Sequence, residues 1–170
     1  LSEELKAAKE AEIPVIAYDD LIMNTDALKY YVTFGGRQIG QLIGQEIIDK
    51  EELEKLQEAK ESKTIEFFMG SLDDEQALFF YNGLMEKLQP YLDDGTLVCK
   101  SGQITFEETG ILRWSMDEAQ SRAEETLSEF YSDTETPDII CTGFDGAAEG
   151  VLKALRNDGL TLGENWPMIT

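Results

Sequence analysis

The feature that most limits how this chain can fold is an alternation. Short apolar runs, opened by Pro or closed by Gly or Asp, take turns with longer segments whose apolar residues recur every three or four positions. Runs of the first kind have no polar alternate positions, so they suit strands buried on both faces. Segments of the second kind suit amphipathic helices. A chain that alternates the two folds as a parallel sheet with helices against both faces.

Along the chain, residues 1–12 read as a helix with Leu1, Leu5 and Ala8 on one face. Ile13 to Tyr18 (IPVIAY) reads as a buried strand with Asp19-Asp20 at its carboxyl end, and Tyr30 to Phe34 as a second strand ended by Gly35-Gly36. A helix follows from Arg37 to Lys50, with Ile39, Leu42, Ile43 and Ile47 as its apolar stripe. Residues 49–63 read as a helix end and a charged surface loop. Strands are then expected at Thr64–Met69, Thr96–Lys100, Asp138–Cys141 and Pro167–Thr170. Helices at Glu75–Leu88, at Ser115–Tyr131 and through Arg156 separate them, with a loop over Ser101–Gly110. The expected fold class is α/β, an open doubly wound parallel sheet. Ligands of such sheets bind at the carboxyl ends of the strands. Asp19, Asp73-Asp74 and Asp145 stand at three of these ends.

Charge narrows the function. The chain carries 35 Asp and Glu against 14 Lys and Arg, a net charge of −21, and no histidine. So negative a chain repels phosphate backbones, which argues against nucleic acid as a partner. No stretch concentrates Lys and Arg into a membrane-surface helix. Without histidine there is no Ser-His-Asp or Cys-His system and no imidazole metal ligand. No phosphate-binding glycine loop, dinucleotide fingerprint or nucleophile elbow is present. Asp93-Asp94-Gly95 lacks the ligand spacing of a calcium loop. Cys99 and Cys141 are too few for a disulfide scaffold and read as small buried side chains, with their pairing left open. No cofactor is expected. The chain opens in mid-helix without a methionine and closes on an apolar strand, which reads as a fragment of a longer protein.

The residues with chemistry to offer lie at the strand ends. Asp19-Asp20 suit acid–base work or the binding of sugar hydroxyls, or are simply solvated. Arg113-Trp114 precedes a helix: either the Trp face stacks on the C–H face of a sugar ring while the Arg fork donates to hydroxyls, or the Trp simply packs beneath its loop. Asp145, in Gly143-Phe144-Asp145-Gly146, either caps the next helix or accepts from a ligand. Trp166 reads as structural, and Phe67-Phe68 and Phe79-Phe80-Tyr81 read as packing.

Five segments, IPVIAYDDLI from Ile13, YYVTFGGRQIG from Tyr30, GSLDDEQA from Gly70, LRWSMDEAQ from Leu112 and TGFDGAAEG from Thr142, give the chain a further identity. In order and spacing they resemble the periplasmic-type sugar-binding proteins of ABC importers, in particular the multiple-monosaccharide binders that take up xylose, arabinose, galactose or glucose. The resemblance covers essentially the whole chain. It implies a type I periplasmic-binding-protein fold of two lobes with the sugar between them. Residues 1–33 would be the end of the first lobe with a hinge crossing, and residues 34–170 most of the second. It implies a non-catalytic, extracytoplasmic carrier, periplasmic or held at the cell surface by a lipid anchor outside this chain. Its partners would be a monosaccharide and a membrane permease, with weak sugar affinity for these 170 residues alone. Carried over by position, Asp19, Asp74, Arg113, Trp114 and Asp145 would be the ligand-binding residues, with no metal. The chain departs from the family's pattern at Asp20, where an Arg is usual. It departs again at Phe34-Gly35-Gly36 in the hinge, and at Glu75-Gln76 where close relatives carry an Asn pair. Two alternatives stand beside it: the effector-binding core of a sugar-responsive repressor, and a carboxylate-dependent enzyme on a doubly wound sheet.

Overall fold

A computed structural model describes residues 2–131, 135–159 and 166–170. Leu1, assigned to the face of the first helix by its spacing, lies outside the described residues. The chain divides into two compact units, Leu1–Gly35 and Gly36–Thr170.

The first unit holds α1 (Ser2–Glu10), β1 (Val15–Tyr18) and β2 (Leu28–Val32). The strands pair in parallel, with Ile16 opposite Tyr30 and Tyr18 opposite Val32. The second strand starts two residues earlier than its apolar run suggested. The reading of Ile13–Tyr18 as a buried strand is corrected: Ala17 alone of β1 is buried, while Ile16 (59%), Tyr18 (67%), Tyr30 (58%) and Val32 (50%) are exposed. Their register puts these four on one face. A two-stranded ribbon with a single helix has too few elements to cover both of its faces.

The second unit runs α2 (Gly36–Lys50), α3 (Leu53–Ala59), β3 (Lys63–Phe68), α4 (Glu75–Asp93), β4 (Leu97–Val98), α5 (Phe106–Thr109), α6 (Met116–Phe130), β5 (Ile139–Thr142), α7 (Asp145–Asn157) and β6 (Met168–Ile169). Its sheet is parallel throughout, in the order β4-β3-β5-β6. Strand periodicity sorts the core into two layers. Ile65, Phe67 and Met69 of the β3 run, with Ile139 and Cys141 of β5, pack with Ile47 and Ile48 of α2 and Ala77, Leu84 and Leu88 of α4. Phe68 and Ile140 face the other way, against Ala119, Ala123 and Leu127 of α6 and Val151, Ala154 and Leu155 of α7. Trp166 packs against this second layer, a structural role. From β3 the chain winds outward through α4 to β4, then crosses back through α6 to β5. The winding therefore reverses between β3 and β5, which is where a doubly wound sheet opens a crevice.

Several local expectations change. α2 buries only part of the stripe Ile39, Leu42, Ile43 and Ile47: Ile47 is buried and Ile43 packs on the core, but Ile39 and Leu42 (69%) are exposed, and Gly40, Gly44 and Ile48 are buried instead. The cause is a close crossing with α4. A Cβ added at Gly40 would lie 2.0 Å from the Phe80 carbonyl oxygen, and one at Gly83 would lie 1.9 Å from that of Arg37. Residues 49–63 contain α3, seated by the fully buried Leu53. The expected loop at 101–110 contains α5, opened by a capping box in which Thr105 and Glu108 exchange hydrogen bonds. α4 runs beyond Leu88 with Pro90 in its last turns, where Pro90 is exposed and costs only one backbone donor. Phe79 is 40% exposed, so only Phe80 and Tyr81 of that trio pack on the core. No described helix is long and apolar enough to cross a membrane.

The α2–α4 crossing gives a direct test. Gly83→Ala should lower unfolding stability by about 2 kcal/mol or more, because a backbone carbonyl has to move. The exposed Glu58→Ala should change it by less than about 0.5 kcal/mol. Urea denaturation followed by circular dichroism reads both.

Candidate functional site

The carboxyl ends of β3 and β5 approach each other more closely than side chains permit. The Gly143 N–H donates to the Phe68 carbonyl at 2.8 Å, and a Cβ on Gly143 would sit 2.8 Å from the Gly70 nitrogen. Three loops converge at this winding reversal, after β3, before α6 and after β5.

The loop after β3 is pinned by its own polar groups. Ser71 is fully buried and its hydroxyl donates to Asp73. Asp74 is the N-cap of α4: its Oδ1 accepts from the Gln76 N–H at 2.8 Å. One Asp74 oxygen is thereby committed to the helix, while the other has no side-chain partner among the described residues.

The segment before α6 continues the sheet for a few residues. Met69 N–H donates to the Thr109 carbonyl at 2.8 Å, and Ile111 N–H donates to that of Gly70 at 3.2 Å. Ile111 is buried as the anchor. The chain then turns tightly through Leu112–Trp114, with Arg113 and Trp114 both left-handed at φ 55°. Such backbone is uncommon outside glycine. The Arg113 N–H meets the Ser71 Oγ at 2.7 Å. The Trp114 ring lies over the bare Cα of Gly70, since a Cβ there would fall 2.5 Å from Cη2. Phe144 supports it in an edge-to-face contact, with centroids 5.2 Å apart at 85°. The indole remains 39% exposed, so it is fixed yet still open on part of its surface. The Arg113 side chain is exposed and, among the described residues, has no partner.

Asp145 follows β5. The reading of Asp145 as a helix cap is corrected: Phe144 is the N-cap, without a side-chain bond, and Asp145 is the first helical residue. Its carboxylate is exposed at the positive end of α7 and, among the described residues, has no partner. Of the residues expected from the sequence, Asp74, Arg113, Trp114 and Asp145 thus all lie on the converging loops of the Gly36–Thr170 unit. Asp19 belongs to the other unit. There it ends β1 in a left-handed turn (φ 69°), its N–H bonded to the Val32 carbonyl and its own carbonyl accepting from the Tyr31 hydroxyl, with an exposed carboxylate. Sequence reasoning passed over Phe144, Gly70 and Ser71 as supports of the indole. An aromatic between two glycines at a strand–helix turn was a visible signal for Phe144. For Ser71 there was none, because its burial depends on distant chain.

Beneath the loops is a buried polar cluster. Glu66 of β3 is 2% exposed and accepts from the Tyr131 hydroxyl (2.9 Å), the Ser101 N–H (3.1 Å) and the Ser101 hydroxyl (2.5 Å). Arg122 of α6 donates to the carbonyls of Thr109 (2.7 Å) and Phe67 (3.0 Å) and to Gln103. These bonds tie the 99–109 segment to β3 just before it enters the site. Burial, and then the Glu66 charge, push the Tyr131 phenol well above its ordinary range. Burial likewise pushes the Cys99 thiol up to about 11 and the Cys141 thiol up to about 12. Both cysteines are free. Among the described residues no cluster of three or more Cys, Asp and Glu could hold a metal.

Comparison with known proteins places the chain in a family. Residues 1–169 match the family described as the periplasmic binding protein domain. The chain is 41% identical to the multiple sugar-binding periplasmic receptor ChvE of Rhizobium radiobacter over all of its own length and 47% of the receptor's. It is 40% identical to the multiple sugar-binding periplasmic protein SbpA of Azospirillum brasilense, over 94% of the chain and 43% of that protein. It superposes with a TM-score of 0.80 on an ABC transporter solute-binding protein from Clostridium phytofermentans with bound β-D-glucose, at 41% identity, over 97% of the chain and 49% of that structure. The chain therefore spans about half the length of the relatives it matches.

The two raised thiols predict an alkaline weakness. Each has a folded pKa above its ordinary 9.0, so the stability it carries is complete below about pH 9 and is lost as pH rises towards 11–12. Urea midpoints should fall between pH 8 and about pH 10.5, and Cys141→Ala should make the fall shallower. At pH 8 neither thiol should react with iodoacetamide until the chain is unfolded.

Proposed function

The chain belongs to the periplasmic binding protein domain family, and on that premise we propose that it is part of an extracytoplasmic substrate-binding protein that captures a monosaccharide and delivers it to an ABC transporter permease. The observation that carries this reading is the Trp114 platform. A fixed, partly open indole offers an apolar face to the C–H side of a pentose or hexose. Beside it, the free Arg113 guanidinium donates to ring hydroxyls and the free Asp145 carboxylate accepts from them. The second Asp74 oxygen adds an acceptor, and Asp19, in its own Leu1–Gly35 unit, is assigned to ligand binding from its position in the family pattern alone. Residues 1–33 are assigned to the end of a first lobe and residues 34–170 to most of a second.

This set binds and releases; it does not transform. Stacking and neutral hydroxyl hydrogen bonds are individually modest and reversible, which suits a carrier that must give up its cargo. The chain has no histidine for proton transfer. Two relatives of which it covers nearly half are described as binding multiple sugars. That breadth agrees with a site built on an aromatic face, which accepts any pyranose presenting its axial C–H bonds.

The test is titration of the full-length protein with D-glucose, D-galactose, D-xylose and L-arabinose, following tryptophan emission and heat. At least one sugar should bind saturably. Trp114→Ala should weaken it on the order of thirtyfold or more, as expected for an aromatic anchor. Asp145→Asn should weaken it about tenfold. Absence of binding by all four sugars would reject the proposal.

A further inference from the structure

The Trp114 platform needs a backbone that would not adopt its shape unaided. Two consecutive non-glycine residues, Arg113 and Trp114, are left-handed, a backbone that persists only where its surroundings hold it. The neighbouring hydrogen bonds of the turn itself are long: Trp114 N–H to the Ile111 carbonyl and Ser115 N–H to the Leu112 carbonyl, both at 3.3 Å. One short bond enters from outside the turn, from the Arg113 N–H to the Ser71 Oγ at 2.7 Å. Ser71 lies 42 residues away in the chain and is fully buried. Its hydroxyl proton is directed to the Asp73 carboxylate, which leaves an oxygen lone pair for the Arg113 amide. The direction of the hydroxyl is thus set by one neighbour and used by another.

We propose that Ser71 is a positioning residue for the sugar platform: its buried hydroxyl, oriented by Asp73, locks the left-handed Arg113-Trp114 turn and so lays the indole on Gly70 against Phe144. This rests on the reading of Trp114 as the stacking residue, and it adds a residue whose hydroxyl is taken up by Arg113 and Asp73. Without that bond the Arg113 amide loses its partner, and the turn is free to relax towards ordinary right-handed backbone. Such a change swings the indole off the bare Cα of Gly70, where a Cβ would come within 2.5 Å of Cη2.

The experiment uses full-length protein labelled with nitrogen-15, in which the Trp114 indole N–H signal is identified by its disappearance in Trp114→Phe. In Ser71→Ala without sugar, that signal should shift or broaden while the Trp166 signal stays in place, and sugar affinity should fall about tenfold. Asp73 is exposed, so Asp73→Ala tests the same device without risk to the core. It should move the same signal less and weaken binding about threefold. Where Ser71→Ala does not fold, Asp73→Ala alone decides. An unmoved Trp114 signal overturns the proposal. So does a loss of affinity with the signal unmoved, since Ser71 would then act by some route other than the indole. If wild-type protein binds no sugar, the functional reading fails, while the ligand-free signal still reports on positioning.

Discussion

The Gly36–Thr170 unit depends on β3 and β5 being buried on both faces. Neither strand has a solvent side, so successive residues must go to opposite helix layers: Phe67 to α2 and α4, Phe68 to α6 and α7. That requirement forces the chain to lay helices on both sides of the sheet, and hence to reverse its winding between the two strands. The reversal parts the loops at the strand ends, and the candidate site occupies the opening. Glu66 is the one carboxylate on this double-faced strand, and it is tolerated because Tyr131 and Ser101 satisfy it. The same bonds, with those of Arg122, hold the segment that leads into the site.

Much of this was legible because it follows from side-chain hydrophobicity. The runs TIEFFM and DIIC read as buried strands, and their carboxyl ends are where such a sheet places its ligand loops. What failed to show was what glycine does. The buried face of α2 is Gly40 and Gly44 with Ile47 and Ile48, and glycine carries no hydrophobic signal, so the periodicity marked only part of that face. α3 and α5 are too short for periodicity; one is held by the single buried Leu53 and the other by a capping box. The expectation that β1 is buried assumed cover that a ribbon with one helix does not provide.

The site was half legible for a related reason. Asp74, Arg113, Trp114 and Asp145 announced themselves as polar or aromatic residues at strand ends, and the fold brings their loops together. The order among them was hidden. Only the structure shows that Asp74 spends one oxygen on its own helix while Asp145 spends none. Only the structure shows that the indole has a floor of glycine and a wall of Phe144. Composition names the groups that can touch a sugar; the division of each group between fold and ligand depends on neighbours dozens of residues away.

On the proposed reading of Trp114 as the stacking residue, its fixed ring also has a kinetic meaning. Free aromatic side chains must give up rotamer freedom when a partner settles on them, and that loss opposes association. An indole already confined between Gly70 and Phe144 has lost that freedom before any ligand arrives. A small rigid ring meeting such a platform has little to rearrange on contact, so related rings should arrive at similar speeds. Differences between them would then lie in how long each one stays.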